Sequence, residues 1–171
     1  ITIGDIDIEI GQDSTVTSAN LDFGGSSQND IGQTTIGNLT LIAGEDSDIN
    51  LDFSWSATSE IDFISIGNIV LSMTMTGTSS TADISLSMDI GGGNVDIDDV
   101  ILGDITITAV GAASTISLDV QVSNTNQDIG DISVRNIVID ASDNASVDLS
   151  LTVSHFGSVA DVGSYTVGDF T

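Results

Sequence analysis

Cysteine, proline and lysine are all missing from this chain, and Arg135 is its only strong base. Without cysteine there is no disulfide framework and no thiol chemistry. Without lysine the chain cannot form a Lys–Asn or Lys–Asp cross-link, and trypsin has a single site. The 26 acidic residues leave a formal charge of −25, which excludes a nucleic-acid partner, because phosphate binding needs clustered Lys or Arg. The same charge argues against an anionic membrane surface. No run of about 18 apolar residues exists, so membrane insertion through a helix is not expected. Disorder is excluded too: with no proline and 40% apolar residues, mostly Ile, Val and Leu, the 171-residue chain can bury a core as one unit.

What is present is a recurring ten-residue stretch, seen at Asp128 to Ile137 as Asp-Ile-Gly-Asp-Ile-Ser-Val-Arg-Asn-Ile. Its skeleton is acid, aliphatic, two variable residues, an apolar or Thr position, one variable residue, aliphatic, usually Gly, then Asn or Asp, then apolar. It stands also at residues 30–39, 60–69, 96–105 and 161–170, and residues 1–6 are its second half. Its Gly slot holds Gly4, Gly37, Gly67, Gly103, Arg135 and Gly168, spaced 33, 30, 36, 32 and 33 residues apart. A period near 33 is a repeat architecture. The repeats run approximately 1–33, 34–63, 64–99, 100–131 and 132–164, with a terminal strand at 165–171, all in a single repeat domain, 1–171.

Each repeat contains a short alternating run (Leu39, Leu41, Ala43; Ile105, Ile107, Ala109), a polar turn, and a second alternating run (Ile49, Leu51, Phe53, Trp55; Ile116, Leu118, Val120, Val122). Period 2 means strands with one buried and one wet face. Inside the motif the phase breaks: Ile132 and Val134 share one parity, Ile137 and Ile139 the other. The Gly-Asn or Gly-Asp step is therefore a corner, for which Gly is expected because it accepts positive φ. Arg135 is expected to be extended or to make a different corner. Three short strands per period predict an all-β fold, a β-solenoid of about five coils of roughly 33 residues with like positions stacked in register. An antiparallel β-sandwich built from repeated hairpins is the alternative. No segment carries helical periodicity.

Several residues invite a chemical role. The acids Asp30, Glu60, Asp96, Asp128 and Asp161 would form one row on neighbouring coils and are candidate Ca²⁺ ligands, since Ca²⁺ takes several oxygens. Gly91-Gly92-Gly93-Asn94-Val95-Asp96 is similar, once, to the glycine-rich nonapeptide of calcium-bound β-rolls. The pair Asp98-Asp99 invites comparison with paired carboxylates of polysaccharide enzymes, but adjacent strand residues are expected on opposite faces. His155 lacks any triad signal and is expected at a strand end beside Phe156. No catalytic residue and no cofactor is therefore expected. Ice binding, a remote alternative, would need continuous outward Thr columns; Thr40 and Ile42, Val70 and Ser72, Thr106 and Thr108 do not supply them. The sequons at Asn38 and Asn144 are possible glycan sites.

Ends carry the remaining expectation. Monomeric solenoids blunt strand edges with caps, Pro or Lys, and this chain has neither Pro nor Lys. Residues 165–170 repeat residues 1–6, so Ile1, Ile3, Ile6, Tyr165, Val167 and Phe170 are the expected subunit interface. A start at Ile1 without an initiating Met leads us to expect a mature product whose export signal has been removed.

The Ile-Gly-Asp-Ile phrases, the Ser, Thr and Asp turns and the near absence of Lys and Arg resemble the acidic, repetitive, β-rich surface proteins of Gram-negative bacteria, including pilus-associated Fil-type proteins. The expectation is a non-enzymatic structural subunit of an extracellular filament, of a biofilm matrix or surface appendage. It would polymerise head-to-tail with itself by strand addition, with divalent cations or matrix polysaccharide as further partners. A calcium-dependent adhesin or ligand-binding surface module is the alternative.

Overall fold

The computed structural model describes residues 1–14, 19–24, 30–57, 60–75, 82–92, 95–111, 114–125, 127–155 and 161–171, with the side chains of Gly92 and His155 excepted. The chain winds through three strands per coil. The first coil is β1 (Thr2–Ile3), β2 (Ile6–Ile10) and β3 (Ala19–Asp22); the second is β4 (Thr34–Ile36), β5 (Leu39–Ala43) and β6 (Asp48–Ser56). The third is β7 (Glu60–Ile66), β8 (Ile69–Thr74) and β9 (Ala82–Gly92); the fourth is β10 (Asp96–Leu102), β11 (Ile105–Val110) and β12 (Ser114–Asn124). The fifth is β13 (Ile132–Val134), β14 (Ile137–Ser142) and β15 (Ser146–His155), and β16 (Tyr165–Val167) lies on β13.

Every third strand pairs with its equivalent, giving sheets of six, five and five strands. Sheet A is β1-β4-β7-β10-β13-β16, sheet B is β2-β5-β8-β11-β14, and sheet C is β3-β6-β9-β12-β15. All pairing between named strands is parallel. The protein is a β-solenoid, and the hairpin sandwich is excluded because every ladder among the described residues is parallel.

Register explains why like residues recur. Leu51, Leu86, Leu118 and Leu149 are successive partners in sheet C, and Leu39, Ile69, Ile105 and Ile137 in sheet B. In these columns each inward aliphatic rests on one of similar size, whereas Met73 lies between Ala43 and Ala109; full burial of a large aliphatic side chain is worth about 1.5–3 kcal/mol. Burial fades towards the outer coils, where Ile6, Ile8, Leu21, Leu149, Leu151 and Val153 are only partly covered. Near the first two coils Trp55 stacks on Phe23 at 5.0 Å and on Phe53 at 5.8 Å.

The corners differ from one another. Between sheets B and C the chain reverses through polar turns with Asp13, Asp46, Asp143 and Asn144 at φ of 58°, 53°, 56° and 66°, a region Asp and Asn tolerate. Buried Ser47 ties this turn to the coil before it, donating to the Gly11 carbonyl at 2.6 Å. Between sheets C and A, buried Asn124 donates to the carbonyls of Val95, Gln127 and Asp128.

The corner between sheets A and B corrects an expectation. No Gly of the motif slot has positive φ; at Gly37, Gly67, Gly103 and Gly168 glycine is needed because coils touch. A Cβ on Gly67 would lie 2.8 Å from the carbonyl of Gly37, and one on Gly103 2.6 Å from that of Gly67. The N–H groups of Gly37, Gly67, Gly103 and Gly168 are each shared between two carbonyls of the preceding coil, whereas Arg135 donates to Leu102 alone, at 3.1 Å. Arg135 thus fits with φ that is not positive by giving up the second contact of its column.

Candidate functional site

The Asn or Asp after the Gly slot has a defined task. At the corner the strand ladders of sheets A and B are interrupted, so its main-chain N–H needs another acceptor. The side chain one coil earlier supplies it. Asp5 Oδ1 accepts from Asn38 N–H at 2.7 Å, Asn38 Oδ1 from Asn68 at 3.0 Å, and Asn68 Oδ1 from Asp104 at 3.0 Å. Asp104 Oδ1 then accepts from Asn136 and Asn136 Oδ1 from Asp169, both at 3.2 Å. Only Asn, Asp or a residue with an oxygen at that reach can fill the row, which accounts for the alternation of the two types.

The acidic row Asp30, Glu60, Asp96, Asp128 and Asp161 works in part the same way: Asp96 accepts from Asp128 N–H at 3.1 Å and Asp128 from Asp161 N–H at 2.9 Å. A third row joins Asp99 to Asp131 N–H, and Asp131 to both the N–H and the hydroxyl of Ser164 at 2.7 and 2.9 Å. Those bonds from Ser164 hold the Asp131 carboxyl below its ordinary value. Sequence reading saw the acids and missed this work. The signal was there: each acid precedes a corner and recurs once per coil.

Sheet A is bent at these rows. Pairing with β7 covers Ile97 and Asp99 but skips Asp98, while Ile97 and Val100 both point inward. Asp98 and Asp99 are therefore both exposed, which corrects the expectation of opposite faces: two residues between inward aliphatics turn outward at a bend. With Glu60, Asp62, Phe63 and Gln33 they line an open cleft of about 630 Å³. Glu60 is pushed above its ordinary value chiefly by Asp62, then by loss of hydration, Asp30, Asp98 and Asp96. Burial first, then Asp62, Asp99 and Asp96, raises Asp98. Among the described residues no three acidic or histidine side chains converge as a metal centre would require.

The expected interface residues lie at the two ends of the stack. Ile3 pairs with Ile36, Val167 with Val134 and Tyr165 with Ile132, and Phe170 bridges Ile137. Ile1 and Phe170 are 62% and 63% exposed, whereas Ile3 and Ile6 are partly buried and pack against the core. His155 pairs through its backbone with Asn124; Phe156 and the middle of the glycine-rich segment lie outside the described residues. Outward on sheet B, Thr40, Val70 and Thr106 share one column and Ile42, Ser72 and Thr108 the next, so no unbroken Thr array forms. Asn38, a sequon residue, is a rung of the first ladder, and Asn144 is an exposed turn residue.

No protein-family model, no curated protein and no solved structure matches this chain. Its function has to be argued from the solenoid itself.

Proposed function

We propose that the protein is a non-enzymatic structural element of an extracellular filament, extended along the solenoid axis by parallel addition of strands from a further copy. The observation that carries this reading is that all three sheets stack coil on coil in parallel and in register, an arrangement that a further coil can continue. A strand edge is a template for another strand. The coil-to-coil contact is the same at every level, so another coil is accepted by the groups that hold the existing ones. The excess of acid over base suits an exported protein kept dispersed by charge until it is concentrated at a surface.

Electron microscopy and sedimentation of the purified chain across a concentration series test the proposal. Filaments with a width of one solenoid support it, and compact monomers at the highest concentration sink it.

The open pocket lined by Glu60, Asp96, Asp128 and Asp161 favours a second reading, a surface module that needs Ca²⁺ along Asp30, Glu60, Asp96, Asp128 and Asp161. Melting curves with calcium and with chelator separate the two: they coincide for the filament element and part by several degrees for the cation-dependent module.

A further inference from the structure

Among the described residues, sheet B is the one face of the solenoid whose centre carries no charge. β5, β8 and β11 contain no ionisable residue, whereas β6, β7, β9, β10 and β12 of the other two sheets each carry at least one acid. Parallel register stacks the outward side chains into columns, with Thr40, Val70, Thr106 and Val138 in one. Ile42, Ser72 and Thr108 form the next, and Ile42 and Val138 are 37% and 43% exposed. Strand propensity does not account for this choice of residues, because sheet C is open to solvent in the same way and sets Ser85, Ser87 and Asp119 outward. The uncharged area is bounded within the chain, by Asp7 and Glu9 beside Thr40 and Ile42 and by Asp140 beside Thr108.

We propose that this face pairs with the same face of a second copy, side by side, in a contact that salt strengthens. The occupant follows from charge. A basic partner is drawn to the acid rows of sheets A and C and finds nothing to pair with on sheet B, while two molecules that each carry a formal charge of −25 come into contact most easily where neither presents an acid. β-Branched side chains lose little rotamer freedom on contact, and sheets pack face to face about 10 Å apart with their strands nearly aligned. A contact between two copies of one face is isologous and closes at two, so it is separate from growth along the axis. β5, β8, β11 and the start of β14, at about 4.8 Å per strand and about 3.3 Å per residue, give a face of roughly 300 Å². The pair then buries on the order of 600 Å², well under the about 1,200 Å² of a lasting complex. Pairing is therefore weak and reversible. Asp7, Glu9 and Asp140 meet only at its rim, and their repulsion reaches across the contact at about 0.1 M salt and is screened at about 1 M.

The absence of cysteine makes the experiment direct. Ser72→Cys places a single thiol near the centre of sheet B, and Ser117→Cys places it on sheet C, both at half-buried positions. A bis-maleimide that spans the about 10 Å between packed sheets links two copies while they touch there; copies joined along the axis hold equivalent residues about 24 Å apart and are not linked. In about 1 M sodium chloride the Ser72→Cys protein is expected to give about tenfold more covalent pair than the Ser117→Cys protein, and in about 0.1 M the excess falls below about twofold. Adding Thr106→Asp to Ser72→Cys removes the excess, and adding Ser87→Asp, the same charge on sheet C, leaves it. Circular dichroism and labelling by a mono-maleimide establish that every variant folds and keeps a reactive thiol. Equal yields from the two thiols in the higher salt overturn the proposal, as does an excess that Thr106→Asp spares or that Ser87→Asp removes equally. None of these outcomes bears on growth along the axis, which microscopy of the parent chain decides.

Discussion

Asn68 and Gly67 are neighbours in sequence, yet they hold their corner by opposite means, one by reaching and one by leaving room. Asn68→Ala removes the oxygen that accepts the Asp104 N–H and is expected to cost about 1 kcal/mol, whereas Asn68→Asp keeps the acceptor and costs less; urea denaturation of the pair measures the difference. Gly67→Ala drives a methyl group into the Gly37 carbonyl, a backbone group that cannot rotate away, and is expected to cost about 1–3 kcal/mol. Gly4 occupies the same slot with nothing within 4 Å of its would-be Cβ, so Gly4→Ala is expected to be near neutral. Equal losses at both positions, read from melting temperatures, would show that the slot needs glycine for its backbone angles instead. Thr34 tests the interior. Its hydroxyl is buried without a partner at a level where Ile64 is its cross-coil equivalent, so Thr34→Val is expected to stabilise by about 1 kcal/mol, seen as a higher denaturation midpoint.

At the scale of the strand, sheet C carries the clearest sequence signal and sheet A the feature that sequence reading left out. Alternation in Ile49 to Trp55 or Ile116 to Val122 gives the inward face directly, because a parallel strand buried on one side has no freedom to shift its phase. The bend of sheet A also had a signal, a three-residue step between inward aliphatics (Ile61 to Ile64, Ile97 to Val100, Ile129 to Ile132), but only coordinates show that both intervening residues face out. Hydrogen-bond partners lay further from view, since a ladder joins residues some 33 positions apart. The acids gathered by the bend give the sheet a pH dependence of definite sign. Glu60 and Asp98 have folded values above 4.5 and 3.8, their ordinary ones, so their unfavourable contribution is present when both are ionised and is relieved as pH falls through the raised values towards the ordinary ones. Asp131 has the opposite sign: its contribution is present above 3.8 and is lost as pH falls through its lowered value. Mild acidification is therefore expected to raise the melting temperature before stronger acid lowers it. The double variant Glu60→Gln/Asp98→Asn is expected to melt higher at neutral pH and to lose most of the rise. A melting temperature that falls steadily from neutral pH would contradict this.

The whole molecule stacks one acid row on another with a single Arg to offset a charge of −25. Composition made that imbalance plain, and the coil spacing turns it into an energy. Rungs about 4.8 Å apart repel by roughly 1 kcal/mol per charged pair in water, and the ladder bonds and the buried aliphatic columns must outweigh it. Screening acts on this term selectively. The Debye length is about 10 Å at 0.1 M salt, longer than the coil spacing, and about 3 Å at 1 M, shorter than it, so raising sodium chloride over that range removes most of the repulsion between successive rungs. The melting temperature is expected to rise with salt, and to rise less in Asp96→Asn, which takes one charge from the middle of the row while leaving an oxygen for the Asp128 N–H. The ion's identity separates diffuse screening from a specific site. Sodium and potassium chloride at equal ionic strength should act alike, and millimolar calcium should add no more than its ionic strength accounts for. A large calcium effect abolished by Asp96→Asn would instead make the acid row a binding site and favour the cation-dependent module over the filament element.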